Sequence, residues 1–198
     1  MKNEILKLKP TSIYDVIDES FFFEKDDPNH REYLTGGNYY EIYYAISKYF
    51  NPKSILEIGV RFGYSLFTMI SASDFIERAV GYDIDEYEKD GLEKAKKEIE
   101  TRLKPGVELS LELKDSQSIS ELDSFYDIIH IDGDHSYGGK VHDLNLTIGK
   151  SSVVIVDDYY HVPAVKKSVD EFIAINAKLI KETTLIDSIR GTFIIVYN

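Results

Sequence analysis

The stretch 54-SILEIGVRFGYSLFTMISA-72 changes its periodicity within nineteen residues. Ser54 to Ile58 is a short apolar run of the kind that forms a buried strand, and from Tyr64 to Ala72 the pattern is helical. Gly59 and Gly63 bracket the turn between them. Glycine lets backbone approach a ligand closely, and a helix beginning near Tyr64 offers unpaired N–H groups to it. A dinucleotide fingerprint would need Gly at 59, 61 and 64, where this chain has Gly59, Arg61 and Tyr64. This turn carries no Gly-Lys-Ser or Gly-Lys-Thr either. A pyrophosphate site of the NAD or FAD type and a P-loop are therefore both disfavoured.

Working outward, strands and helices alternate. Residues 38–50 place Ile42, Ala45, Ile46 and Tyr49 on one helical face. Downstream lie a strand at 79–84 and a charged helix with Leu92, Ala95, Ile99 and Leu103 on one stripe, stopped by Pro105-Gly106. Strands at 107–113 and 127–131, a helix near 139–148 and a strand at 152–156 follow. Pro163 opens a further helix with Val165, Val169, Phe172 and Ile173 inward. Two β-rich runs, 178–186 and 191–197, are too close for a crossover helix and should pair as an antiparallel hairpin. The expected fold is α/β: a doubly wound, mostly parallel, seven-stranded Rossmann-like sheet with a C-terminal antiparallel hairpin. Residues 38–198 form that domain. Residues 1–37 read as an irregular segment, a lid or a dimer contact, with an aromatic and acidic knot at 21-FFFEKDDPNHREY-33.

The composition, with 43% hydrophobic and 29% charged residues over 198 positions, is that of one globular domain. A formal charge of -12 and the lack of any basic patch argue against nucleic acid or an anionic membrane as the main partner. A small ligand or bound metal ions fit that charge better. There is no cysteine, so disulfides and thiolate metal sites are out. The N-terminus lacks an apolar leader and no run reaches membrane-spanning length, so a cytoplasmic protein is expected.

In such sheets ligands bind outside the carboxyl ends of the strands, and there the acids collect. Asp83 lies 24 residues past Gly59, where an acid can grip ribose hydroxyls, with Asp85 as the fallback; either also suits a helix N-cap. The loop 114-KDSQS-118 is polar. In 127-DIIHIDGDHSYGGKVHDL-144 an apolar strand ends in Asp132 and Asp134, and in 152-SVVIVDDYYH-161 the next ends in Asp157 and Asp158. Neighbouring carboxylates repel and are costly to desolvate. A hard divalent cation, Mg²⁺ or Mn²⁺, would turn that repulsion into binding; helix capping is the plainer alternative. His130 alternates within its strand as a core residue, His142 reads as structural, and His161 suits substrate contact or the surface. Tyr39, Tyr40, Tyr159 and Tyr160 suit an aromatic pocket or simple packing.

The segment 57-EIGVRFGYS-65 resembles motif I of the class I S-adenosylmethionine methyltransferases, and its wording is similar to the metal-dependent O-methyltransferases of the catechol and caffeoyl-CoA type. The resemblance spans about 38–198. It implies cofactor contacts from Glu57, Gly59, Gly63, Ser65 and Asp83, with Ser116 and Gln117 at the adenine. It also implies metal ligation by Asp132, Asp157 and Asp158. Three residues after the first Asp, the catechol-type enzymes carry a lysine base; this chain has His135. DGDHSY is closer to bacterial relatives acting on sugars, macrolides and aminocoumarins, whose Asp-x-Asp makes Asp134 the first choice of base and His135 the second. The implied activity is metal-dependent methyl transfer from S-adenosylmethionine to a hydroxyl of a small molecule, by a possible homodimer. The rivals are a nicotinamide-dependent oxidoreductase and a catalytically silent S-adenosylmethionine-binding protein.

Overall fold

The computed structural model describes residues 1–23, 28–36, 38–84 and 90–198. Its strands are β1 Ser54–Ile58, β2 Arg78–Asp83, β3 Glu108–Leu113, β4 Tyr126–Ile131, β5 Ser151–Val156, β6 Ile180–Ile186 and β7 Thr192–Tyr197. They form one sheet in the order β3-β2-β1-β4-β5-β7-β6. The five strands from β3 to β5 pair in parallel, and β7 runs antiparallel to both β5 and β6. The expected doubly wound sheet and hairpin are therefore present. The inner place of the hairpin goes to the more apolar strand. β7 buries Phe193, Ile194 and Ile195, whereas β6 exposes Lys181, Glu182 and Thr183 along the sheet edge.

The helices are α1 Lys2–Leu6, α2 Pro28–Thr35, α3 Tyr40–Phe50, α4 Tyr64–Ala72, α5 Gly91–Glu100, α6 Tyr137–Leu146 and α7 Pro163–Asn176. Alternation along each strand divides the core between the two faces. Ile55, Ile128, Val153 and Ile194 pack with residues of α3, α4 and α5. Leu56, Ile129, Val154 and Ile195 pack with residues of α6 and α7. Among the described residues no helix is long and apolar enough to cross a membrane.

Three expectations change. The N-terminal segment is not irregular throughout: it contains α1, α2 and two 3₁₀ turns, and Ile5, Ile13, Phe21 and Phe22 are fully buried. Elements this short carry no readable period. The buried carboxylate of Glu41 on α3 fastens the segment by accepting the Ile13 amide at 2.8 Å. Tyr49 is 39% exposed, so the inward face of α3 is carried by Ile42, Tyr43, Ala45 and Ile46 instead. The charged helix ends at Glu100, ahead of Leu103 and the Pro105-Gly106 pair. Part of the aromatic and acidic knot, like Asp85, lies outside the described residues.

The topological switch lies between β1 and β4, where the chain leaves one half of the sheet for the other. Gly59 sits there at φ +92°, and a Cβ on it would lie 2.6 Å from the carbonyl carbon of Asp132. Gly106 has a similar φ of +91° with open space around it. Gly106→Ala should therefore cost only the left-handed strain, about 1 kcal/mol. Gly59→Ala adds a backbone collision and should cost more than roughly 3 kcal/mol. Urea denaturation of both variants measures the difference; equal losses would show that the strand ends have room to part.

Candidate active site

Beneath the glycine turn lies a buried carboxylate–imidazole pair. Glu57 of β1 is in register with His130 of β4, so both side chains project from the same face of the sheet. Both are fully buried. Glu57 Oε1 sits 2.6 Å from His130 Nδ1 and accepts the Ser65 hydroxyl at 2.5 Å. Burial raises the Glu57 pKa above the usual carboxylate range, against the opposing pull of His130. Burial works the other way on His130, yet the hydrogen bond and charge of Glu57 hold it above its ordinary value. The Tyr43 ring stands over the imidazole at 4.7 Å. Glu57 Oε2, His130 Nε2 and the Tyr43 hydroxyl have no hydrogen-bond partner among the described residues. His130 is thus a core histidine, as expected, but with only one ring nitrogen satisfied.

The next part of the site follows from β2 and β3. Arg61, at φ +47°, gives its amide to Asp83 Oδ2 at 2.7 Å, so the acid closing β2 also steadies the glycine turn. Ser116 and Gln117 form a 3₁₀ turn after β3, capped by Asp115, whose carboxylate accepts the Gln117 amide at 2.9 Å. His142 of α6 reaches the Ser116 carbonyl at 2.9 Å, a structural contact of the kind expected.

The acids gather at the ends of β4 and β5. His135 Nε2 lies 3.1 Å from Asp158 Oδ2 and 3.4 Å from Asp132 Oδ1. One ligand atom from each of the three falls within 4.8 Å of the others, close enough to share a cation. Asp157 is not one of those three: its Oδ2 accepts the Tyr39 hydroxyl at 2.5 Å, while its buried Oδ1 has no partner among the described residues. Burial, then the charges of Asp132 and Asp158, push the Asp157 carboxyl up to about 7. Asp132 moves oppositely: against burial, the His135 hydrogen bond and the charges of His130 and Lys140 hold it low. Asp134 stands apart. Its carboxylate accepts the Ser136 amide at 2.7 Å and hydroxyl at 3.0 Å at the start of α6.

Asp158 itself has φ +61°, an uncommon conformation for a side-chain-bearing residue. Arg190 donates to its Oδ1 at 2.9 Å, and the same guanidinium lies over the Tyr33 ring, hydrogen-bonded to the Tyr33 hydroxyl. Arg190 reaches this place because the Tyr159 and Tyr160 amides bond back to the Gly191 and Arg190 carbonyls in the β6–β7 turn. Nothing in the local text around Arg190 or Tyr33 marks either residue; a turn and a helix far apart in sequence meet only in three dimensions.

One cavity of about 870 Å³ joins these parts. Gly59, Ser65, Asp83, Ser116 and Gln117 line one end, and Asp132, Asp134, His135, Asp157 and Asp158 the other. Tyr33, Tyr39 and Tyr40 wall the acidic end; Tyr159 and Tyr160 do not line it. Glu57 and Gly63 lie behind the wall: Gly63 packs on α5, where a Cβ would come within 2.8 Å of Ile99. His130→Leu would leave Glu57 buried with a single partner and should cost about 3–5 kcal/mol, while Asn, which can donate from the same place, should cost less. Urea denaturation reads both; a leucine variant as stable as the parent would mean the pair adds nothing.

Comparison with known proteins agrees with this architecture. A family model described as "Methyltransferase domain" matches residues 56–159, more than half of the chain. No curated protein sequence matches it. Among solved structures, an O-methyltransferase from Bacillus cereus in complex with SAH is 19% identical, with a TM-score of 0.64, over 98% of this chain and all of that one. TomG from Streptomyces achromogenes, an O-methyltransferase of tomaymycin synthesis in complex with SAM, is 17% identical with a TM-score of 0.63, over 98% and 99% of the two chains. The SAH-bound methyltransferase PaMTH1 from Podospora anserina is 14% identical with a TM-score of 0.67, over 96% and 88%. At such identities the likeness is one of fold. The glycine turn and both acidic strand ends fall inside the matched segment or at its margin, and the chain belongs to the methyltransferase-domain family.

Proposed function

We propose that the protein methylates a hydroxyl of a small molecule, taking the methyl group from S-adenosylmethionine and using a divalent cation, Mg²⁺ or Mn²⁺, at the acidic end of the cavity. The observation that carries this reading is the buried, unpartnered Asp157 Oδ1 beside Asp132 and Asp158. A carboxylate oxygen left without a donor among like charges is costly unless a cation completes it. Asp132, Asp157 and Asp158 are oxygen donors of the type a hard cation takes, with His135 close by. At the other end, the close backbone approach at Gly59, the Ser65 hydroxyl and Asp83 suit the amino acid and ribose parts of the cofactor.

The cofactor supplies an activated methyl group, and the cation supplies Lewis acidity that favours ionisation of a bound hydroxyl. The remaining work belongs to the chain. Methyl transfer is an in-line displacement, so positioning dominates. Tyr33, Tyr39 and Tyr40 wall the acceptor and exclude water, and the segment 1–37 that carries Tyr33 serves as the cover of this end. Asp134, held by Ser136 and facing the cavity, takes the acceptor's proton; His135 is the second candidate. An acceptor with two adjacent oxygens, as in a sugar, a polyketide or a catechol, suits a site that both chelates and methylates.

Calorimetric titration of S-adenosylhomocysteine into metal-free protein, repeated with Mg²⁺, tests this directly. Cofactor-product binding with Mg²⁺ uptake is expected, and Asp157→Ala/Asp158→Ala should abolish the uptake and lower turnover on hydroxylated acceptors at least roughly a hundredfold. Binding without metal uptake would remove the chelation chemistry. Absence of binding would remove the cofactor.

A further inference from the structure

Gln117 lines the cavity at its cofactor end. Its amide nitrogen is committed to the protein: Nε2 donates to Asp143 Oδ1 at 2.9 Å and Ser116 Oγ at 3.1 Å, and approaches the Gly139 carbonyl at 3.4 Å. A carbonyl oxygen and a carboxylate can only accept. A flipped amide would set Oε1 against both with no proton between them, so the NH₂ must face α6. The amide oxygen is then the atom left to the cavity. Asp143 is fully buried within α6, as is Lys140 one turn before it. A mid-helix carboxylate buried this way loses its hydration. The Gln117 amide gives Asp143 Oδ1 a hydrogen bond in return.

We propose that Asp143 is a positioning residue that locks the Gln117 amide with its oxygen toward the cavity, so that the pocket selects a purine carrying a 6-amino donor over a 6-oxo purine. The proposal rests on the reading that the cavity binds S-adenosylmethionine with its base at Ser116 and Gln117. A fixed acceptor pairs with the exocyclic amine of adenine. It meets the carbonyl of hypoxanthine oxygen to oxygen, with no hydrogen bond possible. An amide free to turn would accept either base, because its NH₂ could serve the carbonyl.

The test is a ratio of affinities. S-adenosylhomocysteine and its deaminated analogue S-inosylhomocysteine are titrated calorimetrically into the full chain and into Asp143→Asn and Asp143→Ser, whose side chains can donate as well as accept. The parent should prefer the adenine compound by roughly tenfold to a hundredfold. Both variants should bring the two affinities to within about threefold. Loss of packing alone would weaken both ligands together and leave the ratio unchanged, which would overturn the proposal. Equal binding of both ligands by the parent would overturn it while leaving the cofactor reading intact. Failure of the parent to bind either ligand would remove the cofactor reading, and the amide lock with it. Thermal melting checks the fold of each variant, and the serine variant decides the matter where the asparagine one does not fold.

Discussion

The approach of β1 and β4 at their carboxyl ends is the contact on which the rest of the site depends. Gly59 leaves no side chain between them, and the Asp132 amide bonds to the Ile58 carbonyl at 2.8 Å as the pairing runs off the end of the sheet. That pairing sets Glu57 against His130 in register. Two residues further along β4, the same alternation that faces His130 to the core brings Asp132 to the mouth of the cavity. One register thus places the buried Glu57 carboxylate, its imidazole partner and the first acid of the proposed cation site. A slip of one residue would send each of them to the opposite layer.

The second theme is charge. A chain with a formal charge of -12 concentrates carboxylates at the strand ends, and the structure distributes counter-charges around them rather than leaving a bare cluster. His130 faces Glu57, His135 bridges Asp132 and Asp158, and Arg190 holds the outer oxygen of Asp158. Lys140 is buried without a hydrogen-bond partner among the described residues, its pKa lowered by burial against the pull of the surrounding acids. Of the four acids at the ends of β4 and β5, Asp157 is the one that keeps a buried oxygen without a hydrogen-bond partner among the described residues. The unusual backbone of Asp158 belongs to the same pattern. Strain of this kind persists where neighbours over-determine a position, and Arg190 with His135 does so here.

The aromatic residues show why packing and pocket need not be alternatives. Tyr39 is nearly buried, gives its hydroxyl to Asp157 and still lines the cavity. Tyr159, by contrast, packs on Phe193 and donates to Asp170, away from the cavity. Both occur in Tyr-Tyr pairs, and no local signal separates them. The difference lies in which face of the sheet each ring packs on, Tyr39 in the layer of α3 and α4 and Tyr159 in that of α6 and α7.

The amino-acid sequence by itself determined the strand–helix alternation, the glycine turn and the acids at the strand ends. Those features are local: side-chain period, backbone freedom at Gly59 and the polarity of a strand terminus act over a few residues. The order of the hairpin strands, the burial of the N-terminal aromatics, the Glu57–His130 pair, the Arg190–Asp158 contact and the Gln117–Asp143 hydrogen bond were decided by the tertiary structure. Each joins residues distant along the chain. Their energies come from desolvation and from partners that exist only once the layers have packed. A histidine among isoleucines, or an aspartate inside a helix, is one letter in the text; burial, and the neighbour that burial requires, give it a function.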